Sequence, residues 1–170
     1  MIRQAVEKDL CEIMEIYNDA ILNTTAVYTY KVQTIEERKL WFQKKNEDNF
    51  PVIVFEEDNT VMGFATFGPF RAWPAYKYTI EHSVYVHKDY RKRGIGTALL
   101  KQIIKLANER EYATLVAGID ALNEKSIVMH EKMGFQYSGT IKRAGFKFGK
   151  WLDLVFYQLD LTGPEDPIEG

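Results

Sequence analysis

Three places in this chain carry side chains whose types and spacing could do chemistry. Glu81 is a carboxylate set among Tyr78, Thr79, Ile80, Val84 and Val86, residues that favour strands. A charge in such company is rarely buried without a partner, and burial pushes a carboxyl towards neutrality, where it can serve as a general base. The alternative is an ion-paired glutamate at a strand edge. His130 shares a helix face with Ser126 and Met133, at spacings of four and three. An imidazole titrates near neutrality and can donate or accept a proton; the alternative is a packed, structural ring. The third place is Arg91-Lys92-Arg93-Gly94-Ile95-Gly96-Thr97. It sets three cations and two glycines ahead of an amphipathic pattern. A helix start exposes unpaired N–H groups and attracts phosphate, and glycine lets the backbone approach an anion closely. A solvated basic turn is the plainer reading. The loop lacks the Gly-Lys-Ser/Thr of a P-loop and the Gly-x-Gly-x-x-Gly of a dinucleotide fold.

The elements that must position these groups follow from periodicity. Residues 2–6 read as a short strand. Leu10, Ile13, Met14, Tyr17 and Ile21 then repeat with helical period, and Cys11 inside that pattern is expected to be a packed core thiol. Thr34 and Glu37 form a capping box opening a second helix through Leu40, Trp41 and Phe42. Strands are expected at 51–55 and 61–67, joined by a turn at Glu57-Asp58-Asn59-Thr60 and ended by Gly68-Pro69. A long central strand is expected over 76–86. A helix follows through Leu99, Leu100, Ile103, Ile104 and Ala107, then a strand at 113–119. Asn123 caps a helix ended by Gly134. A hairpin of strands at 135–141 and 146–161 closes the order β-α-α-β-β-β-α-β-α-β-β, an α/β (α+β) fold with a mixed sheet. One domain over residues 1–162 is expected, with a disordered tail at 163–170.

Composition limits the function classes. The chain has 170 residues, 46% hydrophobic and 27% charged, with a formal net charge of -2. That near balance argues against bulk attraction to nucleic acid or to a membrane surface. No apolar run approaches the roughly 20 residues of a membrane span, and the N-terminal residues show no secretory pattern. The lone cysteine suits a reducing compartment, so a cytoplasmic location is expected. His82 and His87 lack a third ligand at metal-binding spacing, so no metal is expected.

Taken together, Ser83-Val84-Tyr85-Val86, Arg91-x-x-Gly94-x-Gly96, Asn123-x-x-Ser126 and Glu131-Lys132-Met133-Gly134-Phe135 resemble the GNAT superfamily of N-acetyltransferases, over roughly residues 2–161. Tyr17-Asn18, Gly68-Pro69-Phe70-Arg71, Glu81-His82-Ser83, Met129-His130-Glu131 and the segment around Trp151 resemble its phosphinothricin and methionine-sulfoximine acetyltransferase branch. The resemblance implies acetyl-CoA as co-substrate. Its pantetheine would lie along Val84, Tyr85 and Val86. Its pyrophosphate would rest on the amides of Arg93, Gly94, Ile95, Gly96 and Thr97, beside Arg91 and Lys92. Asn123 would meet the pantetheine arm, Ser126 the cofactor and Lys132 a phosphate, although Asn123 is equally a helix cap, Ser126 a small helix-face residue and Lys132 a solvated charge.

The resemblance also implies direct attack by a primary amine, with Glu81 as base and His130 as acid for the departing thiolate, where many relatives carry tyrosine. Phe70, Arg71, Trp73, Glu81, His82 and Ser83 would meet a small amino-acid-like amine, Arg71 suiting a carboxylate or phosphinate. Tyr85 is read as core. A homodimer is expected. A peptide or protein N-terminal acetyltransferase and a non-catalytic acetyl-CoA sensor are the competing readings, and retention of both Glu81 and His130 argues against the sensor.

Overall fold

The computed structural model describes residues 1–170. Its elements run β1 (Ile2–Gln4), α1 (Leu10–Asn23), α2 (Ile35–Glu47), β2 (Val52–Glu57), β3 (Thr60–Pro69), β4 (Thr79–Val86), α3 (Ile95–Glu109), β5 (Thr114–Asp120), α4 (Glu124–Lys132), β6 (Gln136–Lys147) and β7 (Lys150–Asp160). This is the expected order. The strands are arranged β1-β2-β3-β4-β5-β7-β6. β4 and β5 run parallel, while β1·β2, β2·β3, β5·β7 and β6·β7 are antiparallel, so the sheet is mixed. The chain divides into two compact units, Met1–Phe67 with Ser83–Gln102, and Gly68–His82 with Ile103–Gly170.

In the first unit, Leu10, Ile13 and Ile16 of α1 pack with Val52, Val54, Val61 and Phe64. Each such side chain stabilises by roughly 1.5–3 kcal/mol. Residues 51–54 and 61–68 are buried without alternation, the pattern of strands covered on both faces. Asp58 and Asn59 both take positive φ, 51° and 60°, as a two-residue primed hairpin turn requires. α2 opens on the expected capping box: the Glu37 N–H donates to Thr34 Oγ1 at 3.2 Å and the Thr34 N–H to Glu37 Oε2 at 2.8 Å.

Several expectations are corrected here. Cys11 is exposed. It shares its helix face with Glu15 and Leu22, both exposed, while the buried seam runs through Leu10, Ile13, Ile16, Ala20 and Ile21. The buried residue of α2 is Arg38, 2% exposed, with its guanidinium between the rings of Tyr17 and Trp41, 4.2 and 4.4 Å from their centroids. β3 continues through Gly68 and Pro69, a proline being tolerated at a strand end. β4 begins three residues later than expected, because Pro74–Tyr76 forms a 3-10 turn with proline in its first position.

In the second unit, β5 pairs with β7 along its whole length, and Leu115, Ala117, Ile119, Leu152, Val155 and Tyr157 are buried. The hairpin turn lies at Phe148 and Gly149, with φ of 52° and 71°. The break expected after residue 141 is a bulge within β6 between Ile141 and Gly145. There Arg143 takes φ 54° and its N–H donates to Asp153 Oδ1 at 2.8 Å. Residues 163–170 carry no helix or strand. The Gly163 N–H donates to the Tyr112 carbonyl at 3.2 Å, and the Ile168 N–H to the Tyr78 hydroxyl at 3.0 Å.

Candidate active site

The basic, glycine-bearing loop at residues 91–97 belongs to the first unit. β4 ends at Val86, and the His87 N–H donates to the Met62 carbonyl at 2.8 Å. A 3-10 turn at Lys88–Tyr90 follows. Lys92 and Gly94 then take positive φ, 65° and 78°. The Gly94 carbonyl accepts the first bond of α3, from the Ala98 N–H at 3.0 Å. The amides of Ile95, Gly96 and Thr97 are therefore first-turn amides without partners in their own helix.

The loop is anchored from below and open above. Ile95 is buried, whereas nothing lies within 4 Å of a Cβ placed on Gly94. Arg91, Lys92 and Arg93 are exposed. Arg91 pairs with Asp19 and Arg93 with Glu57, each at 3.3 Å. Exposed pairs of this kind are weakly held, so both cations remain able to turn to a phosphate. Val84, Tyr85 and Val86 are half-buried. Tyr85 packs edge-on to Tyr17 and against Phe64, with centroids at 5.5 and 5.1 Å, which makes it the core aromatic expected.

Gly63 was not foreseen. A Cβ there would stand 2.9 Å from the Tyr85 carbonyl oxygen, 3.1 Å from Leu99 Cδ1 and 3.2 Å from Ile95 Cγ2. Only glycine lets β4 and the start of α3 come this close to β3. An isolated glycine inside a strand pattern is the sequence signal for such an approach.

The chemical groups belong to the second unit. Glu81 and His82 are consecutive on β4 and so face opposite sides of the sheet. Glu81 is half-buried. Burial raises its carboxyl above the usual range, and the Arg71 guanidinium opposes part of that rise. Beside it lies Gly118 of β5, exposed in mid-strand. A Cβ on Gly118 would come within 3.1 Å of Glu81 Oε1, so the glycine keeps a notch open at the carboxylate. This residue too was missed.

On the Glu81 face, a cavity of about 300 Å³ is walled by the rings of Phe70, Tyr76 and Phe156 and by Val116. Thr79, Thr114, Ser138 and Gln158 supply its polar atoms. Thr79 precedes Glu81 by two residues, and Val116 is its ladder partner. Phe70 is held edge-on by Tyr76 and Phe156, with centroids at 6.0 and 6.3 Å, and Arg71 lies over the Phe70 ring at 5.3 Å. Trp73 is 75% exposed and does not line this cavity. Ser83 is half-buried.

His130 faces His82 on the other side of the sheet. The two are 3% and 8% exposed, with Nε2 to Nε2 at 3.1 Å. His130 Nδ1 lies 2.7 Å from the Ser126 carbonyl oxygen. The Phe135 ring meets both imidazoles edge-on. Burial lowers both imidazole pKa values; for His82, with His130 adding to the effect, the value falls to about 3. Both rings are therefore neutral at pH 7. Each ring nitrogen of His130 is engaged, so a lone His130 acting as acid finds no free N–H here. Asn123 is the helix cap expected, its Oδ1 accepting the Ser126 N–H at 3.2 Å. Lys132 is exposed. No group of three His, Cys, Asp or Glu side chains is placed to hold a metal, and no helix is long and apolar enough to cross a membrane.

These features can be set beside known proteins. A family model for the acetyltransferase (GNAT) domain matches residues 2–156. The chain is 39% identical, over 160 residues, to an L-methionine sulfoximine/L-methionine sulfone acetyltransferase of Salmonella typhimurium, covering 94% of each chain. It is 57% identical to an N-acetyltransferase from Staphylococcus aureus of known crystal structure, with a TM-score of 0.95 over 95% of this chain and 98% of that one. It is 34% identical to a phosphinothricin acetyltransferase from Sinorhizobium meliloti solved with acetyl-CoA, with a TM-score of 0.95 over 100% and 94% of the two chains. A basic, glycine-bearing turn at the head of α3 and a carboxylate raised by burial on β4 thus occur in a chain that matches this domain almost end to end, and the chain belongs to the GNAT acetyltransferase family.

Proposed function

We propose that this enzyme transfers the acetyl group of acetyl-CoA to the primary amine of a small, neutral amino acid of the methionine sulfone or methionine sulfoximine type. The observation that carries this reading is the Glu81 carboxyl, raised by burial and facing the notch at Gly118, on the same face as a cavity with no charged lining. An ammonium has no lone pair to attack with. A carboxyl tuned upward by burial can remove its proton near neutral pH. The cavity rings suit an aliphatic side chain, and the hydroxyl and amide groups of Thr79, Thr114, Ser138 and Gln158 suit a neutral oxygen-bearing tip. A phosphinate would bring a charge with no cation on the wall. Arg71 stands outside the cavity lining, positioned for the substrate carboxylate, with Phe70 beneath it.

In this proposal acetyl-CoA is held by the amides of residues 93–97 with Arg91 and Lys92, along Val84–Val86 of β4, and by Asn123, Ser126 and Lys132. His130 acts as the inner member of its pair with His82. His82 lies on the face away from the cavity, so its part is in the pair, while Trp73 is dropped from the substrate contacts. The acetyltransferase domain spans residues 1–162 and works in the cytoplasm. It pairs as a homodimer through the β6–β7 hairpin, where Tyr137, Phe146, Phe148 and Trp151 are exposed; light scattering tests that assignment. Acetyl-CoA turnover across methionine sulfone, methionine sulfoximine, phosphinothricin, unmodified amino acids, polyamines and peptides tests the rest. The reading requires the two sulfur compounds to show the highest kcat/KM. Preference for peptides, or no turnover with any amine, overturns it.

A further inference from the structure

We propose that His82 and His130 act as one proton-holding unit, and that Nδ1 of His82 is the atom through which a proton enters and leaves it. This rests on the acetyl-transfer reading above.

The assignment follows stepwise from the geometry. A carbonyl oxygen only accepts, so the 2.7 Å contact with Ser126 puts a proton on Nδ1 of His130. Neutral His130 then has a bare Nε2. That nitrogen lies 3.1 Å from Nε2 of His82, so His82 carries its proton on Nε2 and donates it. The one atom left over is Nδ1 of His82, a bare lone pair that is buried and without a hydrogen-bond partner. The two ring planes are parallel to within 7°, with centroids 5.1 Å apart. This separation is too long for stacked faces and fits two rings meeting end to end through one N–H···N bond. Phe135 packs edge-on to both rings, with interplanar angles of 79° and 85°, and holds them in that plane.

Such a pair accepts one proton and no more. A proton arriving at Nδ1 of His82 lets the Nε2 proton pass to His130. The imidazolium formed there donates to Ser126 on one side and back to His82 on the other. A second proton would set two N–H groups against each other across 3.1 Å. The chemistry balances without further reagents. Glu81 removes the first proton of the ammonium and returns it to solvent. Attack forms the C–N bond and leaves a second proton on that nitrogen. That N–H bond breaks to water as the C–S bond breaks; a proton relayed by water reaches Nδ1 of His82 and passes on to the thiolate, forming S–H and restoring the neutral pair.

Two-bond ¹H–¹⁵N correlation on the uniformly labelled native enzyme reads the tautomers directly, and the chain has 3 histidines, so each ring is assignable. The expected result at pH 7 is the Nδ1–H form for His130 and the Nε2–H form for His82. The Nε2–H form for His130, or a doubly protonated ring at either position, overturns the proposal. His82→Gln keeps an N–H donor towards His130 but removes the accepting nitrogen. It should lower kcat roughly 10- to 100-fold, within the usual span for proton transfer, and leave KM for acetyl-CoA unchanged. The double variant His82→Gln/His130→Gln should be no slower than the slower single variant. Wild-type kcat in His82→Gln, or losses that multiply in the double variant, overturns the shared-proton role. If His82→Gln does not fold, the tautomers of the native enzyme decide alone. They need no turnover, so failure of the amine panel and failure of this proposal are read separately.

Discussion

Glu81→Gln should make the protein more stable and nearly inactive, and the two effects have one origin. Glutamine keeps the shape and loses the charge. Burial raises the Glu81 carboxyl, with Arg71 offsetting part of the rise, so the folded state holds the Glu81 proton more tightly than the unfolded chain does. The contribution to stability is then fully present below the unfolded pKa, near 4.3 for a free glutamate, and is lost as pH rises through the folded value. At neutral pH the native enzyme bears that cost and Glu81→Gln does not. The carboxyl is only half-buried, and solvent screens part of the cost, so a gain on the order of 1 kcal/mol is the right scale. In a chain of this length that corresponds to roughly 2–4 °C in Tm. The gain should shrink as the pH falls through the folded value towards the unfolded one. Turnover of methionine sulfone should drop by roughly 10²- to 10⁴-fold while the acetyl-CoA-dependent rise in Tm remains. Scanning calorimetry of both proteins from pH 4 to 8, with a coupled thiol-release assay, makes the test. A lower Tm at pH 7.5, or activity within threefold of the native enzyme, would refute the assignment of Glu81 as a half-buried base raised by burial.

Three further outcomes follow from the same geometry. Acetyl-CoA at a hundred times its Kd should stabilise the native enzyme by about 2.7 kcal/mol; Gly94→Val, which forces a β-branched residue into φ 78°, should abolish that shift in differential scanning fluorimetry while the fold survives. Gly63→Ala places a methyl 2.9 Å from the Tyr85 carbonyl oxygen; overpacking of this kind costs about 1–3 kcal/mol, so both Tm and acetyl-CoA affinity should fall, and an unchanged affinity would separate Gly63 from the site. Arg71→Gln removes a charge that holds the Glu81 carboxyl down; the acidic limb of the kcat/KM profile should move to higher pH and KM for the amino acid should rise, whereas a rise in KM for acetyl-CoA would reassign the residue.

The sequence made some features legible because each rests on local rules, and hid others because they depend on partners far along the chain. Element order, the Thr34 capping box, the Asp58-Asn59 turn and the glycine after α4 are all written in neighbouring residues. Cys11 shows how a local pattern misleads: periodicity found the helix, but Ile16 and Ala20, not Met14 and Tyr17, set the centre of its buried seam. In β6 the break expected after residue 141 is a bulge, and nothing local shows that Asp153 supplies the bond that keeps the strand going. The site divides in the same way. Glu81 was legible as a charge inside a strand. Its notch was not, since Gly118 is one glycine in an apolar strand until the Glu81 oxygen is placed 3.1 Å from its absent Cβ. His130 was legible as a candidate, but its ring partner His82 lies 48 positions away. Strand alternation sends Glu81 and His82 to opposite faces of β4. One strand therefore delivers a carboxylate to the cavity side and a lone pair to the side of α4. This division suits a reaction in which one proton leaves the amine for solvent and the next must reach the sulfur, and it ties both assignments to the register of β4.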